Sequence, residues 1–271
     1  MNDHELAKSL AVAAGELLVG LRSHALNFTD DIDDSTITAL SKEVLGVEAD
    51  RAAHIFLSDQ LAVHRPLDAV LSEEGDDSSF RHGATRVWII DPLDGTKHYA
   101  NGTDEFAVHI ALWESSSERP GQLIAGAVSL PAINKVLSTG DHVGAAILGE
   151  KLETDRPVRV LISRSRPPKE IDAIVAALNE RFPERGVELV PQGSAGFKVA
   201  TIISGEADIY INTSGFYEWD IAAPMAIGVH NGLVACDRYG LELKFNKQDT
   251  FTPSALVARR EFVSVLVDCL A

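Results

Sequence analysis

The sequence predicts a layered α/β protein, with antiparallel strands in its first half. Three patterns support this fold class. Residues 6–21 repeat leucine and alanine at the spacing of an amphipathic helix, residues 106–113 alternate as a strand buried on both faces does, and strand-like and helical segments alternate after residue 158. The 271 residues are enough for one large domain or two ordinary ones with a substantial core.

Two helices open the chain. The first starts with a capping box formed by Asn2 and Glu5, and a polar, aspartate-rich loop over residues 27–35 follows it. The second helix is predicted to begin at Glu48. Asp50 then has two interpretations: an acidic residue that the helix dipole favours in a first turn, or a carboxylate that points into a metal site.

A pair of glutamates follows the first predicted strand. Residues 69–71 are apolar and run directly into Ser72-Glu73-Glu74. Glutamates at a strand end are either ordinary loop residues or ligands at the edge of a sheet. Residues 75–83 then form a polar loop bounded by glycines, a candidate mobile segment that either covers a site or has no role.

The central motif is Asp91-Pro92-Leu93-Asp94-Gly95-Thr96, which follows the apolar strand at residues 87–90. Its proline fixes one backbone angle and its glycine permits a sharp reversal, so both aspartates would lie on one rigid corner. Two oxygen ligands on a stiff corner suit Mg²⁺. The alternative interpretation is an ordinary turn, since Asp, Pro and Gly are the usual turn residues.

Further atoms of this motif are candidates for the same site. The carbonyl of Leu93 would be a third metal ligand, and the hydroxyl of Thr96 would orient a water molecule. Because neighbouring strand ends converge in a sheet, Glu73 would face Asp91 and Asp94.

The rest of the first half is predicted as a short helix at residues 97–102 and strands at residues 106–113, 123–130 and 134–139, the last two forming a hairpin. His109 lies on the first of these strands. We expect it to be a hydrogen-bonded core residue and not a ligand.

A polar segment with a proline at residues 150–157 suggests where the chain divides. The first half, residues 1–155, is expected to carry most of the metal ligands. The second half, residues 156–271, is expected to carry the substrate-binding loops and Asp220.

Two segments of the second half are candidate anion sites. Ser163-Arg164-Ser165-Arg166 follows a strand and forms either a phosphate site, because guanidinium groups match phosphate geometry, or a solvated loop. Gly193-Ser194 opens a helix that contains Lys198, and the N–H groups at such a helix start face anions.

The stretch Trp219-Asp220-Ile221-Ala222-Ala223-Pro224 is predicted to open a helix. If Asp220 has only a structural role, it is an acidic cap at the helix N-terminus. A closing hairpin pairs residues 233–236 with residues 241–245. A final strand at residues 256–258 and a helix at residues 262–270 follow.

Composition limits the partners. The net charge of -16 disfavours a nucleic-acid polymer or an anionic membrane, but not a small phosphate ester, because bound Mg²⁺ reverses the local field. The sequence shows neither a run of ~20 apolar residues nor a signal-peptide pattern. Cys236 and Cys269 lack zinc-site spacing, so we expect buried thiols and a cytoplasmic location.

Four motifs resemble, in order and spacing, the signatures of the inositol monophosphatase superfamily of Mg²⁺-dependent, lithium-sensitive phosphatases. They are Ser72-Glu73-Glu74, Asp91-Pro92-Leu93-Asp94-Gly95-Thr96-Lys97, Gly193-Ser194 with Lys198, and Trp219-Asp220-Ile221-Ala222-Ala223-Pro224. Within the superfamily, Leu71-Ser72-Glu73-Glu74 and Ile162-Ser163-Arg164-Ser165 resemble the branch of CysQ-type 3′(2′),5′-bisphosphate nucleotidases.

The resemblance implies a layered α-β-α-β-α sugar-phosphatase sandwich and two or three Mg²⁺ ions per site. It implies the metal ligands Glu73, Asp91, Leu93 through its carbonyl, Asp94 and Asp220. Asp50 would support a further metal. Glu73 with Thr96 would position and deprotonate the attacking water. The two metals are expected to lie ~3.5–4 Å apart. The expected substrate contacts are Gly95, Thr96, Ser163, Arg164, Arg166, Gly193, Ser194 and Lys198.

The implied reaction is hydrolysis of the 3′-phosphate of 3′-phosphoadenosine 5′-phosphate to AMP and phosphate, a step connected with sulfate assimilation. 3′-Phosphoadenylyl sulfate would be a second substrate. The expected partner is therefore a small phosphorylated nucleotide, and the sequence leaves a homodimer open.

The sequence departs from the family at three positions. Glu48 stands where the family usually has threonine, two residues before the acid that matches Asp50. Thr213 stands where inositol-specific members have a glutamate, and Arg166 where many bisphosphate nucleotidases have histidine.

Two alternatives remain. The first is a broad-specificity inositol-1-phosphate or fructose-1,6-bisphosphate phosphatase, against which Thr213 argues. The second is a non-catalytic nucleotide-binding or metal-binding protein, against which the intact set of acidic residues argues.

Overall fold

The computed structural model describes residues 1–29, 35–77, 79–141 and 156–271, and the side chains of residues 26–40 also fall outside the description. The helices are α1 (Asp3–Thr29), α2 (Ser35–His64), α3 (Thr96–Ala100), α4 (Ile171–Arg181), α5 (Ala195–Ile203), α6 (Glu218–His230) and α7 (Arg260–Leu270). The strands are β1 (Ala69–Ser72), β2 (Arg86–Asp94), β3 (Ala107–Glu114), β4 (Gln122–Leu130), β5 (Lys135–Ser138), β6 (Val158–Ser163), β7 (Val187–Gln192), β8 (Ile209–Asn212), β9 (Phe216–Tyr217), β10 (Val234–Cys236), β11 (Phe251–Thr252) and β12 (Ala255–Ala258). Short 3-10 helices occupy Ser79–Gly83 and Pro131–Ile133.

The first sheet has the order β1-β2-β3-β4-β5, with β1 parallel to β2 and the other neighbours antiparallel. Alternation along β2 sorts its side chains between two cores. Trp88 and Ile90 pack with α1 and α2 on one face, whereas Val87 and Ile89 face α5 and α6 on the other. The sheet is therefore buried on both faces.

The second sheet has the order β10-β12-β8-β6-β7. Its inner face, which includes Leu161 and Val257, shares a core with α5, α6 and the first sheet. Its outer face packs against α4 and α7 through residues such as Ile174 and Phe262. The layers follow one another as α-β-α-β-α, which confirms the fold class that the sequence resemblance implies.

Most predicted elements lie where the sequence places them. The capping box is present, because Asn2 Oδ1 accepts the Glu5 N–H at 2.9 Å and a Glu5 carboxylate oxygen accepts the Asn2 N–H at 3.0 Å. The hairpin of β4 and β5 is also confirmed.

The start of the second helix is predicted wrongly. Helix α2 begins at Ser35 and not at Glu48, so Asp50 lies in mid-helix and its interpretation as a first-turn acid is wrong. A Cβ atom on Gly46 would lie 3.0 Å from Thr96 Cγ2. Gly46 therefore permits a close approach to α3 at a position where glycine has a low helix propensity.

The predicted loop at residues 27–35 is partly wrong, because residues 27–29 belong to α1 and Ser35 belongs to α2. Residues 30–34 lie outside the described part of the chain.

The predicted closing hairpin is wrong. Strand β10 pairs with β12 and not with residues 241–245, which form no strand. The side chains of Leu243 and Phe245 still pack on the shared core, whereas Leu241 is exposed. The apolar alternation in this segment therefore reflects packing without a hydrogen-bonded ladder.

The two predicted halves stay a prediction. Their boundary falls at the edge of residues 142–155, which lie outside the described residues. The first sheet draws its strands from residues before this gap and the second sheet from residues after it, while one core joins the two.

The loop predicted as mobile is anchored by a buried arginine. Arg81 is fully buried, and its guanidinium donates to both carboxylate oxygens of Asp77 at 2.5 and 2.9 Å. It also donates to Asn246 Oδ1 and to the Lys247 carbonyl, both at 2.8 Å. Glu218, the first residue of α6, accepts the backbone N–H groups of these two residues at 2.6 and 3.0 Å. The loop is therefore tied to the start of α6.

We expect Arg81→Met to lower the free energy of unfolding by about 3 kcal/mol, because it leaves buried acceptors without their charged donor. Urea denaturation followed by circular dichroism measures this loss. The matched control is Arg119→Met. The Arg119 side chain is 65% exposed, and its ion pair with Glu114 is long at 4.0 Å, so its loss should cost little. Equal losses in the two variants would contradict the anchoring role.

Candidate metal centre

The end of β2 and the first turn of α6 bring three aspartates together. Asp91, Asp94 and Asp220 each offer a carboxylate oxygen, and these oxygens all lie within 4.8 Å of one another. Asp91 is fully buried, and the other two are partly buried. The structure thus joins two residues of the central motif to one that follows more than a hundred positions later.

The backbone fixes the corner that carries the first two aspartates. Asp91 Oδ1 accepts the Leu93 N–H at 3.0 Å, and the register of β2 against β3 shifts between Asp91 and Asp94. Gly95 has φ = +91°, and a Cβ atom there would lie 2.7 Å from the Glu105 carbonyl oxygen. Only glycine fits this turn, so the sequence motif dictates where the carboxylates lie.

Asp50 reaches the same corner from the middle of α2. It is buried, and its Oδ2 lies 3.3 Å from Thr96 Oγ1, which in turn lies 3.1 Å from the Leu93 carbonyl oxygen. Oδ1 of Asp50 and Oδ2 of Asp91 are buried and accept no hydrogen bond from the described residues. Such orphaned oxygens are costly unless a proton or a cation compensates them.

The carboxyl groups of the centre have raised pKa values. Burial, followed by the charge of Glu73, raises the pKa of Asp50 to about 8. Burial and the charges of Asp220 and Asp94 raise the pKa of Glu73 to about 7, and burial with the charge of Asp94 raises the pKa of Asp220 to about 7. Burial and the same neighbours hold the pKa of Asp91 well above its usual range. The site therefore binds protons when no cation is present.

Glu73 lies at the rim of this centre. It does not belong to the cluster of three aspartates, and its residue surface is exposed. Its carboxyl group is nevertheless desolvated enough, and near enough to Asp220 and Asp94, to raise its pKa. It follows β1 directly, as the sequence predicts for a neighbouring strand end.

The Gly-Ser turn holds protein carboxylates. Asp94 Oδ2 accepts the Ser194 hydroxyl and the Ala195 N–H, both at 2.6 Å, and lies 3.3 Å from the Gly196 nitrogen. The Gly193 N–H donates to a Glu105 carboxylate oxygen at 2.7 Å. The anion that the sequence predicts at this helix start is, in this structure, an acid of the protein itself.

The two arginines after β6 differ in their surroundings. Both terminal nitrogens of the Arg164 guanidinium donate to the Glu105 carboxylate, one of them at 2.7 Å. Arg166 is exposed, has no ion pair with any described residue, and its charge lowers the pKa of Asp220. Ser163 Oγ accepts the Arg166 backbone N–H at 3.2 Å and so shapes the loop.

Lys198 lies beneath the turn and is buried. Its Nζ donates to the Ser194 carbonyl oxygen at 3.1 Å and lies 5.2 Å from the centroid of the Tyr210 ring. Burial lowers the pKa of Lys198 to about 8, and the charge of Asp94 partly offsets this effect. A lysine in this position adds positive charge close to the carboxylate cluster.

Comparison with protein families agrees with this geometry. Residues 3–263 match the model of the inositol monophosphatase family. The chain belongs to the inositol monophosphatase family.

Individual relatives in the inositol monophosphatase family carry the names of phosphatases. The chain is 38% identical over 230 residues to the 3′-phosphoadenosine 5′-phosphate phosphatase of Mycobacterium bovis, covering 84% of this chain and 82% of that one. It is 29% identical to the 3′(2′),5′-bisphosphate nucleotidase CysQ of Escherichia coli K12, covering 91% and 94%. The crystal structure of CysQ from Bacteroides thetaiotaomicron, a family member, matches with a TM-score of 0.74 and 25% identity over 95% and 97% of the two chains.

Two residues of this inositol monophosphatase family site are missing from the sequence prediction. Glu105 binds both Arg164 and Gly193, and His109 Nε2 lies 3.3 Å from Asp94 Oδ2. His109 is buried, as predicted. Its predicted hydrogen bonding stays a prediction: burial lowers the pKa of the ring, and the charge of Asp94 and a backbone contact with Trp219 oppose that shift. Donors from α5 already occupy Asp94 Oδ2. The apolar alternation of its strand predicts that His109 is buried. No sequence signal predicts that it lies behind the carboxylates of the centre.

None of the described helices combines the length and the apolar character that a membrane-spanning helix needs.

We expect the metal-free protein to lose stability as the pH rises from 5 to 8. The carboxyl groups of Asp50, Glu73 and Asp220 have folded-state pKa values of about 7 to 8, against about 4 in unfolded chains. The folded state therefore binds more protons in this interval, and the free energy of unfolding falls as those protons leave. Calorimetric unfolding temperatures measured in EDTA test this.

The stabilisation by Mg²⁺ should increase with pH, whereas the stability of the metal-free protein falls. Because the cation competes with protons for the same oxygens, Mg²⁺ should raise the unfolding temperature more at pH 8 than at pH 5. Asp220→Asn removes one titrating carboxyl group and should flatten both dependences. A wild-type unfolding temperature that rises steadily with pH in EDTA would refute the role assigned to these carboxyl groups.

Proposed function

We propose that this chain is a Mg²⁺-dependent 3′(2′),5′-bisphosphate nucleotidase that removes the 3′-phosphate from 3′-phosphoadenosine 5′-phosphate, leaving AMP. The observation that carries the proposal is the cluster of Asp91, Asp94 and Asp220 in a family member whose relatives bear these activities in their names. Net negative charge in a site for an anionic substrate requires bound cations.

The residues present fit Mg²⁺. Carboxylate oxygens are its preferred protein ligands, and two of these oxygens, on Asp50 and Asp91, are buried without a donor among the described residues. Asp91, Asp94, Asp220, Glu73 and the Leu93 carbonyl would hold the ions. A set of two or three ions per site remains our prediction.

Bound Mg²⁺ would acidify a water molecule and neutralise charge on the phosphoryl group and the leaving oxygen. Glu73 would accept a proton from the attacking water, since its pKa of about 7 suits proton exchange near neutral pH. The Thr96 hydroxyl would orient that water, because it donates within this corner to the Leu93 carbonyl or to Asp50. Gly95 stays a predicted substrate contact.

Arg166 is the better candidate for the 5′-phosphate of the substrate. Its guanidinium has no carboxylate partner among the described residues, whereas Glu105 holds Arg164 in a two-pronged ion pair. Lys198, Gly193 and Ser194 would contribute positive charge and shape from the neighbouring end of β7, which pairs with β6.

The inositol alternative is less well supported. Thr213 donates its hydroxyl to a Glu170 carboxylate oxygen at 2.7 Å and offers no carboxylate to ring hydroxyls. Activity on inositol 1-phosphate or fructose 1,6-bisphosphate should therefore be weaker than on the nucleotide.

The direct test is phosphate release from 3′-phosphoadenosine 5′-phosphate, with Mg²⁺ titrated and lithium then added. We expect Mg²⁺-dependent release that lithium inhibits and that exceeds release from the inositol and fructose phosphates. No release from the nucleotide, together with activity on those phosphates, would overturn the proposed substrate. Phosphate release from no compound would favour the non-catalytic alternative.

Glu73→Gln should lower kcat about 100-fold or more, because the amide cannot accept the proton. The matched control is Glu74→Gln, the exposed neighbour, which should keep kcat near the wild-type value. Unfolding temperatures of both variants show whether the fold is intact. Near-normal kcat in Glu73→Gln would remove Glu73 from the role of proton acceptor.

Arg166→Ala should raise KM for the bisphosphate about tenfold or more, since it removes a charge-assisted contact to the 5′-phosphate. It should leave KM for 3′-AMP, which lacks that phosphate, nearly unchanged. Arg164→Ala is the comparison variant. If Arg164→Ala and not Arg166→Ala abolishes the difference between the two substrates, the assignment of Arg166 is wrong.

A further inference from the structure

Three aromatic side chains, two of them exposed and one half-buried, form a patch beside the metal centre. Tyr217 stacks on Trp219 with ring centroids 4.8 Å apart and an interplanar angle of 14°, and Phe251 meets Tyr217 at 79° and 6.0 Å. We call Tyr217, Trp219 and Phe251 the aromatic patch. Tyr217 and Phe251 remain 48% and 44% exposed. Large aromatic rings that keep this much exposed surface in one place indicate a binding surface.

The backbone holds the aromatic patch rigidly. Tyr217 and Phe251 are cross-strand partners in the short ribbon of β9 and β11. The Glu218 N–H donates to the Thr250 carbonyl at 3.0 Å, and Gly215 has φ = +82° where a Cβ atom would lie 2.2 Å from the Phe251 ring. The ring planes are therefore set before any ligand arrives, which lowers the entropy cost of stacking.

The aromatic patch is coupled directly to the centre. The Tyr217 N–H donates to Asp220 Oδ2 at 2.6 Å, and Trp219 is the residue before Asp220. The aromatic patch is therefore joined by sequence and by one backbone hydrogen bond to a carboxylate of the centre.

The neighbouring basic loop lies against the same segment. The Ser214 hydroxyl donates to the Arg166 carbonyl oxygen at 3.3 Å, and the charge of Arg166 is felt at Asp220. Residues 214–217 thus connect the proposed 5′-phosphate contact to the aromatic patch.

We propose that the aromatic patch is the subsite for the purine base of the substrate, with the base stacked on Tyr217. This inference rests on the proposed function, since it assigns the base of the same nucleotide. A flat heteroaromatic ring matches an exposed flat ring held next to a phosphate site, and stacking of a base on an aromatic side chain carries no demand for hydrogen-bond readout.

The test compares three variants on substrates with and without a base. Tyr217→Leu keeps apolar contact with Trp219 but removes the aromatic plane, Tyr217→Phe keeps the plane, and Tyr239→Ala removes an exposed tyrosine elsewhere. For 3′-phosphoadenosine 5′-phosphate, kcat/KM should fall about tenfold or more in Tyr217→Leu and stay near wild type in the other two. For base-free glycerol 2-phosphate, all three variants should resemble wild type.

Equal losses on both substrates in Tyr217→Leu would overturn the proposal, because they would show an effect through Asp220 and not through the base. Unchanged kinetics in Tyr217→Leu on the nucleotide would overturn it as well. Unfolding temperatures verify that the variants fold.

A binding measurement separates this inference from the proposed function. Calorimetric titration with AMP and with ribose 5-phosphate, in the presence of Mg²⁺, requires no turnover. We expect the wild type to bind AMP about tenfold or more tightly than ribose 5-phosphate, and Tyr217→Leu to lose that preference. If the wild type shows no preference for AMP, the base subsite is refuted; if the preference is present without turnover of the bisphosphate, only the proposed function fails.

Discussion

Repulsion among the carboxylates at the end of β2 is the constraint that the surrounding structure must meet. Asp94 is held by donors from the start of α5, Asp91 by the backbone of its own corner, and Asp220 by the Tyr217 N–H. All of these donors are neutral groups. No lysine or arginine in the described ranges forms an ion pair with the three aspartates. Their negative charge is therefore left uncompensated, which favours binding of a hard cation and, through that cation, of a phosphate.

The middle helical layer explains how one corner can hold these groups. Helices α5 and α6 lie between the two sheets, and both begin at the end of β2. Their N-terminal N–H groups carry partial positive charge. This partial charge offsets part of the repulsion among the carboxylates, although their pKa values stay raised.

The sequence predicts those parts of the fold and of the site whose conformation is set by neighbouring residues in the chain. The motif from Asp91 to Thr96 predicts its own corner, because its proline and glycine restrict the backbone. Contacts that join distant parts of the chain could not be predicted. Glu105 meets Arg164 across 59 positions, and only the folded sheets bring them together. The mid-helix position of Asp50 was missed because the acidic residues Glu48 and Asp50 look like a first turn, whereas the helix already begins at Ser35.

The donors to Asp94 come from a segment that is synthesised late. Ser194 follows Asp94 by 100 residues, and Asp220 follows later still. A chain emerging from the ribosome therefore carries the crowded acids of the first sheet well before it carries the groups that orient them. The cluster of three aspartates is therefore complete only once residue 220 has been synthesised.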